Sequence, residues 1–176
     1  LRTCAIRPHL VYGPGDPHLI PRLLDRGRRR QLRIVGRGTN RVDITYIDNV
    51  ADAHLRIARA LDHPGRVAGK AYFIGQEQPV NLWSWINNLF EECGIPVVTG
   101  RVPLPVAYTI GRLLELTYSV LRLKTEPKMT RFVALQLARS HFFSHARAAE
   151  DFGYHPGISL EQGHEQLIAW LTQQPG

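Results

Sequence analysis

Leu1-Arg2-Thr3-Cys4-Ala5-Ile6-Arg7-Pro8-His9-Leu10-Val11-Tyr12-Gly13-Pro14-Gly15-Asp16 is the stretch whose reading decides the fold of this 176-residue chain. Residues 2–11 make a largely apolar run, and Gly13, Pro14, Gly15 and Pro17 close it. A continuous apolar run stopped by glycine and proline predicts a strand buried on both faces, as in a parallel sheet. Such a strand requires neighbours on either side, and the remaining sequence offers only short strand-like pieces. The run starts at residue 1 with no turn or cap ahead of it, and the only methionine is Met129. The expectation is therefore a fragment, the C-terminal part of an α/β domain whose N-terminal half is missing.

Outward from this strand, Leu19, Ile20, Leu23 and Leu24 recur near helical spacing with arginines on the other face, which predicts an amphipathic helix. Ile34-Val35-Gly36 predicts a short strand, and Val42 to Ile47 another extended segment. Asp48 is expected to cap a helix whose buried stripe is Val50, His54, Ile57 and Leu61, with His54 a core histidine. Ala71 to Gly75 predicts a buried strand, and Asn81 a cap for a helix that Gly94 ends. Residues 105–123 are apolar almost all round, interrupted by Arg112, Glu115 and Arg122, so a membrane-spanning helix is not expected. A core helix, a lid over an apolar substrate and a helix lying in a membrane surface all fit that segment. Thr130 opens another helix, Ser144 is expected to cap the next, and Ser159 to Gln162 has capping-box spacing. Strands alternating with helices predict an α/β fold with parallel pairing.

The composition, 44% hydrophobic with a net charge of +7, is that of a globular chain. Cys4 and Cys93 lie in apolar surroundings and read as reduced core residues of a protein in the cytoplasm. Eight arginines between Arg22 and Arg41 face only Asp25. They suit a solvated helix face, an anionic membrane surface or a phosphate-bearing ligand. None of the nucleic-acid-binding motifs is present, so no nucleic-acid partner is expected.

The absences exclude several chemistries. No glycine-rich dinucleotide loop, Walker loop, HExxH, CxxC or serine elbow occurs, and no metal site is expected. Tyr108 and Tyr118 each precede an arginine by four residues where a lysine is sought. Arginine cannot supply a tunable ammonium. No catalytic residue is assigned to the chain.

Residues 1–16 resemble the "LRP-x-x-x-YGPGD" strand and turn of extended short-chain dehydrogenases. Asn40 to His54 is similar to the "VD-x-TYVDNVAHAH" stretch of the 3β-hydroxysteroid dehydrogenase branch, and Ser144 to Arg147 with Phe152 to Pro156 resembles the "SKA…LGY-x-P" signature. The resemblance covers almost the whole chain. It implies the C-terminal part of a Rossmann-type domain, carrying the substrate-binding subdomain, with residues 105–123 as a lid or membrane-facing helix. It further implies that Pro8, His9 and Leu10 line the nicotinamide of NAD or NADP, and that Tyr12 and Tyr46 contact substrate. The catalytic Tyr-x-x-x-Lys of the family would precede Leu1. The partners implied are the N-terminal half, a second copy in a homodimer and a hydrophobic small molecule, with membrane-surface contact left open. The implied activity is hydride transfer to or from a secondary alcohol or ketone on a long-chain 3-oxoalkanoate or 3β-hydroxysterol. Nucleotide-sugar epimerases and dehydratases of the superfamily carry an arginine where this chain has Val42, so that reading stands second, beside a non-catalytic membrane- or ligand-binding module.

Overall fold

The computed structural model describes residues 1–63, 65–125 and 127–173. In chain order the elements are β1 (Ala5–Pro8), β2 (Val11–Tyr12), α1 (Leu19–Arg28), β3 (Ile34–Val35), β4 (Arg41–Val42), β5 (Thr45–Tyr46), α2 (Ile47–Leu61), β6 (Ala71–Ile74), β7 (Val80–Asn81), α3 (Leu82–Glu92), β8 (Arg101–Val102), α4 (Leu104–Val120), α5 (Arg131–Ala138), α6 (Ala146–Phe152) and α7 (Leu160–Gln173). They fall into two compact units. One comprises Leu1–Leu24, Asp43–Val80 and Phe142–Gly176, the other Asp25–Val42 and Asn81–His141.

The first unit is built on parallel pairs, as expected. β1 runs beside β6 with Ala5 opposite Ala71 and Pro8 opposite Ile74, and β2 beside β5 with Tyr12 opposite Tyr46. The expectation of a strand buried on both faces needs correction. Ala5 and Arg7 are exposed, and Ile6 and Pro8 are half-buried. The reason is local: β6 is β1's one strand neighbour among the described residues, and Arg7 lies 5.8 Å from the Phe73 ring instead of in a core. Pro8 then ends the strand, since it has no N–H for the ladder. The turn that follows feeds α1, whose first N–H groups are capped by Asp16: His18, Leu19 and Ile20 donate to its carboxylate at 2.8–3.1 Å.

The core of this unit gathers Ala53 and Ile57 of α2, Tyr72 and Ile74 of β6, Val67, Ala148 and Tyr154. The buried line on α2 is Asn49, Val50, Ala53 and Ile57, so His54 falls outside it. His54 is exposed and its Nδ1 sits 2.7 Å from the Val50 carbonyl. Asp48 is not the cap either. The helix starts two residues earlier, with Tyr46 at the N-cap and no side-chain cap bond, and Asp48 meets the helix dipole from within the first turn. Ser144 is likewise displaced, His145 taking the N-cap of α6. The α7 capping box forms as expected, Ser159 N–H donating to Gln162 Oε1 and Gln162 N–H to Ser159 Oγ.

Asp151 of α6 accepts from Tyr72 Oη at 2.6 Å and Lys70 Nζ at 2.9 Å. Those two bonds hold its carboxyl below the usual range, the Tyr72 bond contributing most. A depressed folded-state pKa stabilises the fold above the unfolded value and loses that contribution as pH falls through the folded one. Thermal melts should therefore show stability falling on acidification below about pH 4, with a shallower fall in Asp151→Asn.

In the second unit β3 and β8 pair in parallel. Asn81 caps α3 as expected, accepting from Ser84 N–H at 2.9 Å, and Gly94 follows its end at φ +65°. The helix buries Trp83, Trp85, Leu89 and Phe90. α4 is shorter than the 105–123 expected. Its Ala107 and Gly111 face α5, whose cap is Thr130. A Cβ on Gly111 would come within 2.6 Å of the Thr130 backbone, so the small residue is what lets the two segments approach. Cys4 and Cys93 are free and half-buried, and burial pushes both thiols up. Among the described residues, no group of acidic, histidine and cysteine side chains is placed to hold a metal. No described helix is long and apolar enough to cross a membrane.

Candidate functional site

The first unit brings the C-terminal ends of β1 and β6 together with the chain entering β5. In parallel α/β sheets, ligands bind beyond the carboxyl ends of the strands. The chain leaves β1 at Pro8 and turns sharply at Leu10, whose φ is +41°. A branched L-residue in that left-handed region carries about 1–2 kcal/mol of strain. Three contacts hold it there. Thr45 N–H donates to the Leu10 carbonyl at 3.2 Å, and Thr45 Oγ1 donates to His9 O at 3.0 Å with Ile74 O 3.3 Å away. His9 Nδ1 lies 2.9 Å from the Asp43 carbonyl. A carbonyl only accepts, so Nδ1 is the donor in this bond, which fixes the orientation of the imidazole.

Asp43 is buried, and its carboxylate accepts from Phe143 N–H at 2.6 Å. Phe143 stacks on Phe73 with centroids 4.0 Å apart and meets the His9 ring edge-on at 6.1 Å. Pro8, His9 and Leu10 are all half-buried. They form one continuous edge, apolar at Pro8 and Leu10 and polar at His9, on a backbone tied to β5 and β6.

Tyr12 and Tyr46 are also brought together, 5.6 Å apart and edge-on, but each is only 1% exposed. Tyr12 Oη donates to Leu160 O at 3.4 Å, and Tyr46 Oη to Gln166 Oε1 at 2.5 Å. Burial pushes the Tyr12 phenol well above its ordinary range and the Tyr46 phenol up as well, so both stay neutral. They pack beneath α7, where Gly163 leaves them room.

Behind the site sits a polar knot. Asn49 donates to Gln76 Oε1 at 2.6 Å and to Ile158 O at 2.8 Å, and accepts from the N–H groups of Gly157 and Ile158 at 3.0 and 2.9 Å. Gln76 Nε2 adds a second bond to Ile158 O. The sequence places Asp43 and Asn49 within the Asn40 to His54 motif, and in the fold both hold backbone N–H groups. It gives no sign of Gln76, which reads as an ordinary polar residue of the Gly75–Pro79 loop, nor of Phe143 and Thr45. Their roles depend on pairing across the chain. The arginine sought before Asp43 is replaced by Val42, which is fully buried, while Arg41 is exposed.

Residues 1–106 match the model of the 3-beta hydroxysteroid dehydrogenase/isomerase family. The chain belongs to this family. It is 47% identical over 97% of its length to the 2-alkyl-3-oxoalkanoate reductase of Shewanella oneidensis, covering 44% of that protein. It is 29% identical over 94% of its length to the decarboxylating sterol-4-alpha-carboxylate 3-dehydrogenase of Mus musculus, covering 47% of it. The chain thus spans about half the length of the curated relatives it matches. Among solved structures, a double mutant of the dTDP-glucose 4,6-dehydratase of Streptomyces venezuelae, crystallised with NAD, superposes with a TM-score of 0.63 at 16% identity, covering 99% of this chain and 45% of that one. That likeness establishes the α/β fold, and this chain matches about half the length of that structure.

Proposed function

We propose that this chain is the substrate-side half of an NAD(P)-dependent oxidoreductase acting on a secondary alcohol or ketone of a hydrophobic substrate, with a 2-alkyl-3-oxoalkanoate the first class to test. The observation that carries the reading is the strained turn at Leu10. Strain of this kind is kept where the surrounding structure over-determines it, and it gathers at ligand-binding positions. Here His9, Asp43 and Thr45 do the holding, at the strand end that the resemblance to extended short-chain dehydrogenases implies for the nicotinamide.

The residues suit that group. Pro8 offers a rigid apolar surface with no N–H of its own, Leu10 extends it, and His9 adds a polar ring beside it. When bound at this edge, the nicotinamide of NAD(P)H would supply the hydride for reduction of a substrate carbonyl. Pro8 and Leu10 keep water from that face, and the Asp43–His9 bond fixes the imidazole's orientation. Tyr12 and Tyr46 are buried and bonded to α7, so neither is placed to give the proton for the new hydroxyl. They act as the packed wall behind the substrate end.

The test uses the full-length protein: NADH or NADPH consumption with a long-chain 2-alkyl-3-oxoalkanoate, NADH or NADPH formation from the oxidised cofactor with a 3β-hydroxysterol, and chromatographic analysis of products with UDP-glucose, since epimerases and dehydratases turn over with no net change in the cofactor. Turnover of the first supports the proposal; turnover of the sugar nucleotide alone would replace it with the epimerase reading. Leu10→Gly relieves the strain and loosens the turn. It should change stability by less than about 1 kcal/mol, because the unfolded chain gains freedom as the fold loses strain. NAD(P)H affinity, measured by fluorescence titration, should weaken several-fold.

A further inference from the structure

Eight arginines lie between Arg22 and Arg41, and the strand-end site uses none of them. Two of these, Arg30 and Arg33, line an open depression of about 370 Å³ in the second unit. Leu32, Phe90, Pro96, Val97 and Val98 give it an apolar wall, and no acidic side chain is among its lining residues. Neighbouring Arg29 is paired with Asp25. Among the described residues, no acid pairs with the Arg30 or Arg33 guanidinium.

Three positions shape this depression against their local preference. α1 ends in the hydrogen-bond pattern that ordinarily places glycine just past the helix cap: Arg30 N–H donates to Gly27 O and Gln31 N–H to Arg26 O, both at 2.9 Å. Arg30 fills the glycine place at φ +53°, in the left-handed region where a side chain is strained. Arg33 Nη1 donates to the Arg30 and Leu32 carbonyls at 3.0 and 2.9 Å, which holds the guanidinium in place with Nε and Nη2 left to donate. A Cβ at Gly100 would stand 2.7 Å from Arg33 Cδ, so glycine there is what seats the Arg33 chain. Gly27 lies inside α1, where glycine is disfavoured, and a Cβ on it would overlap the Phe90 ring that lines the depression. Local departures of this kind gather at binding sites.

The lining selects the ligand's chemistry. Two guanidinium groups with no acid beside them attract an anion, and their forked N–H groups fit carboxylate or phosphate oxygens. An inorganic anion would leave the apolar wall in water, whereas an aliphatic body covers it. The volume lies near the lower end of the range for organic ligands, which suits a short chain or the end of a longer one. We infer that the second unit binds an amphiphilic anion here, an aliphatic phosphate or carboxylate, with its head on Arg30 and Arg33 and its chain against Leu32, Val97 and Val98. The inference does not rest on the proposed activity, and none of these residues belongs to the strand-end site.

The experiment is calorimetric titration of the full-length protein with octyl phosphate, octanoate, 1-octanol, inorganic phosphate and AMP. The two amphiphilic anions should bind about tenfold or more tightly than octanol or inorganic phosphate, and the binding should weaken with salt. Arg30→Gly and Arg33→Gln should each lower that affinity about tenfold. Arg30→Gly should still melt close to the parent, because relief of the left-handed backbone offsets the freedom gained by the unfolded chain. Arg29→Gln, an exposed change outside the lining, should leave the affinity as it is, which separates this site from general attraction to a basic surface. NAD(P)H affinity should be the same in all three variants. Absence of binding overturns the inference, as does affinity that Arg30→Gly and Arg33→Gln leave unchanged. Inorganic phosphate binding as tightly as octyl phosphate, or AMP binding more tightly than either amphiphile, overturns it too.

Discussion

Asn49→Leu should destabilise the protein by about 3–5 kcal/mol, enough to unfold a domain of ordinary stability near its growth temperature. Leucine matches asparagine in size, so the loss isolates the hydrogen bonds. Asn49 is 2% exposed and serves four partners, among them the N–H groups of Gly157 and Ile158. Without the amide those donors lose their acceptor and Gln76 Oε1 keeps only the Tyr46 N–H at 3.5 Å, and each group left unmatched out of reach of water costs about 1–3 kcal/mol. Calorimetric melting of the full-length variant reads the effect. His54→Ala on the exposed side of the same helix should stay within about 0.5 kcal/mol of the parent.

Gly163→Ala is expected to act on the site itself. A Cβ at residue 163 would stand 2.8 Å from Tyr46 Cδ2 and 2.9 Å from Tyr12 Oη. Neither ring can retreat, since both are buried and each hydroxyl is held by α7. The added methyl must push α7 off the β2–β5 pair, at a cost of about 1–3 kcal/mol. Because β5 also carries Thr45, which holds Leu10, the shift should reach the strand end as weaker NAD(P)H binding. Gly153→Ala, where a Cβ meets nothing within 4 Å, costs only its left-handed backbone and should leave cofactor affinity unchanged.

These expectations show where the sequence was legible. The Asn81 and Thr130 caps, the Ser159–Gln162 capping box and the glycine stop at Gly94 are local signals, each readable within four or five residues, and all of them appear in the fold. The parallel pairing followed from alternation of strand and helix. What was misread depended on neighbours. The apolar run through Ile6 reads as a doubly buried strand because hydrophobicity records what a segment can bury, whereas burial also depends on which elements lie beside it. His54 reads as core because a stripe through residues 50, 54, 57 and 61 and one through 50, 53 and 57 differ by a small rotation of α2, and packing against Tyr72 and Val67 decides it. Pro8, His9 and Leu10 came from a motif. The positive φ at Leu10, the Asp43–Phe143 bond and the Asn49–Gln76 knot join residues 27 to 109 positions apart, and no local pattern encodes them.

The measurement that bears most directly on the central claim is the crystal structure of the full-length protein with NAD(P) bound. The account predicts the nicotinamide ring in van der Waals contact with Pro8 and Leu10, and Leu10 still in its left-handed conformation. A nicotinamide seated elsewhere, with the Pro8–Leu10 edge against protein or solvent, would contradict it.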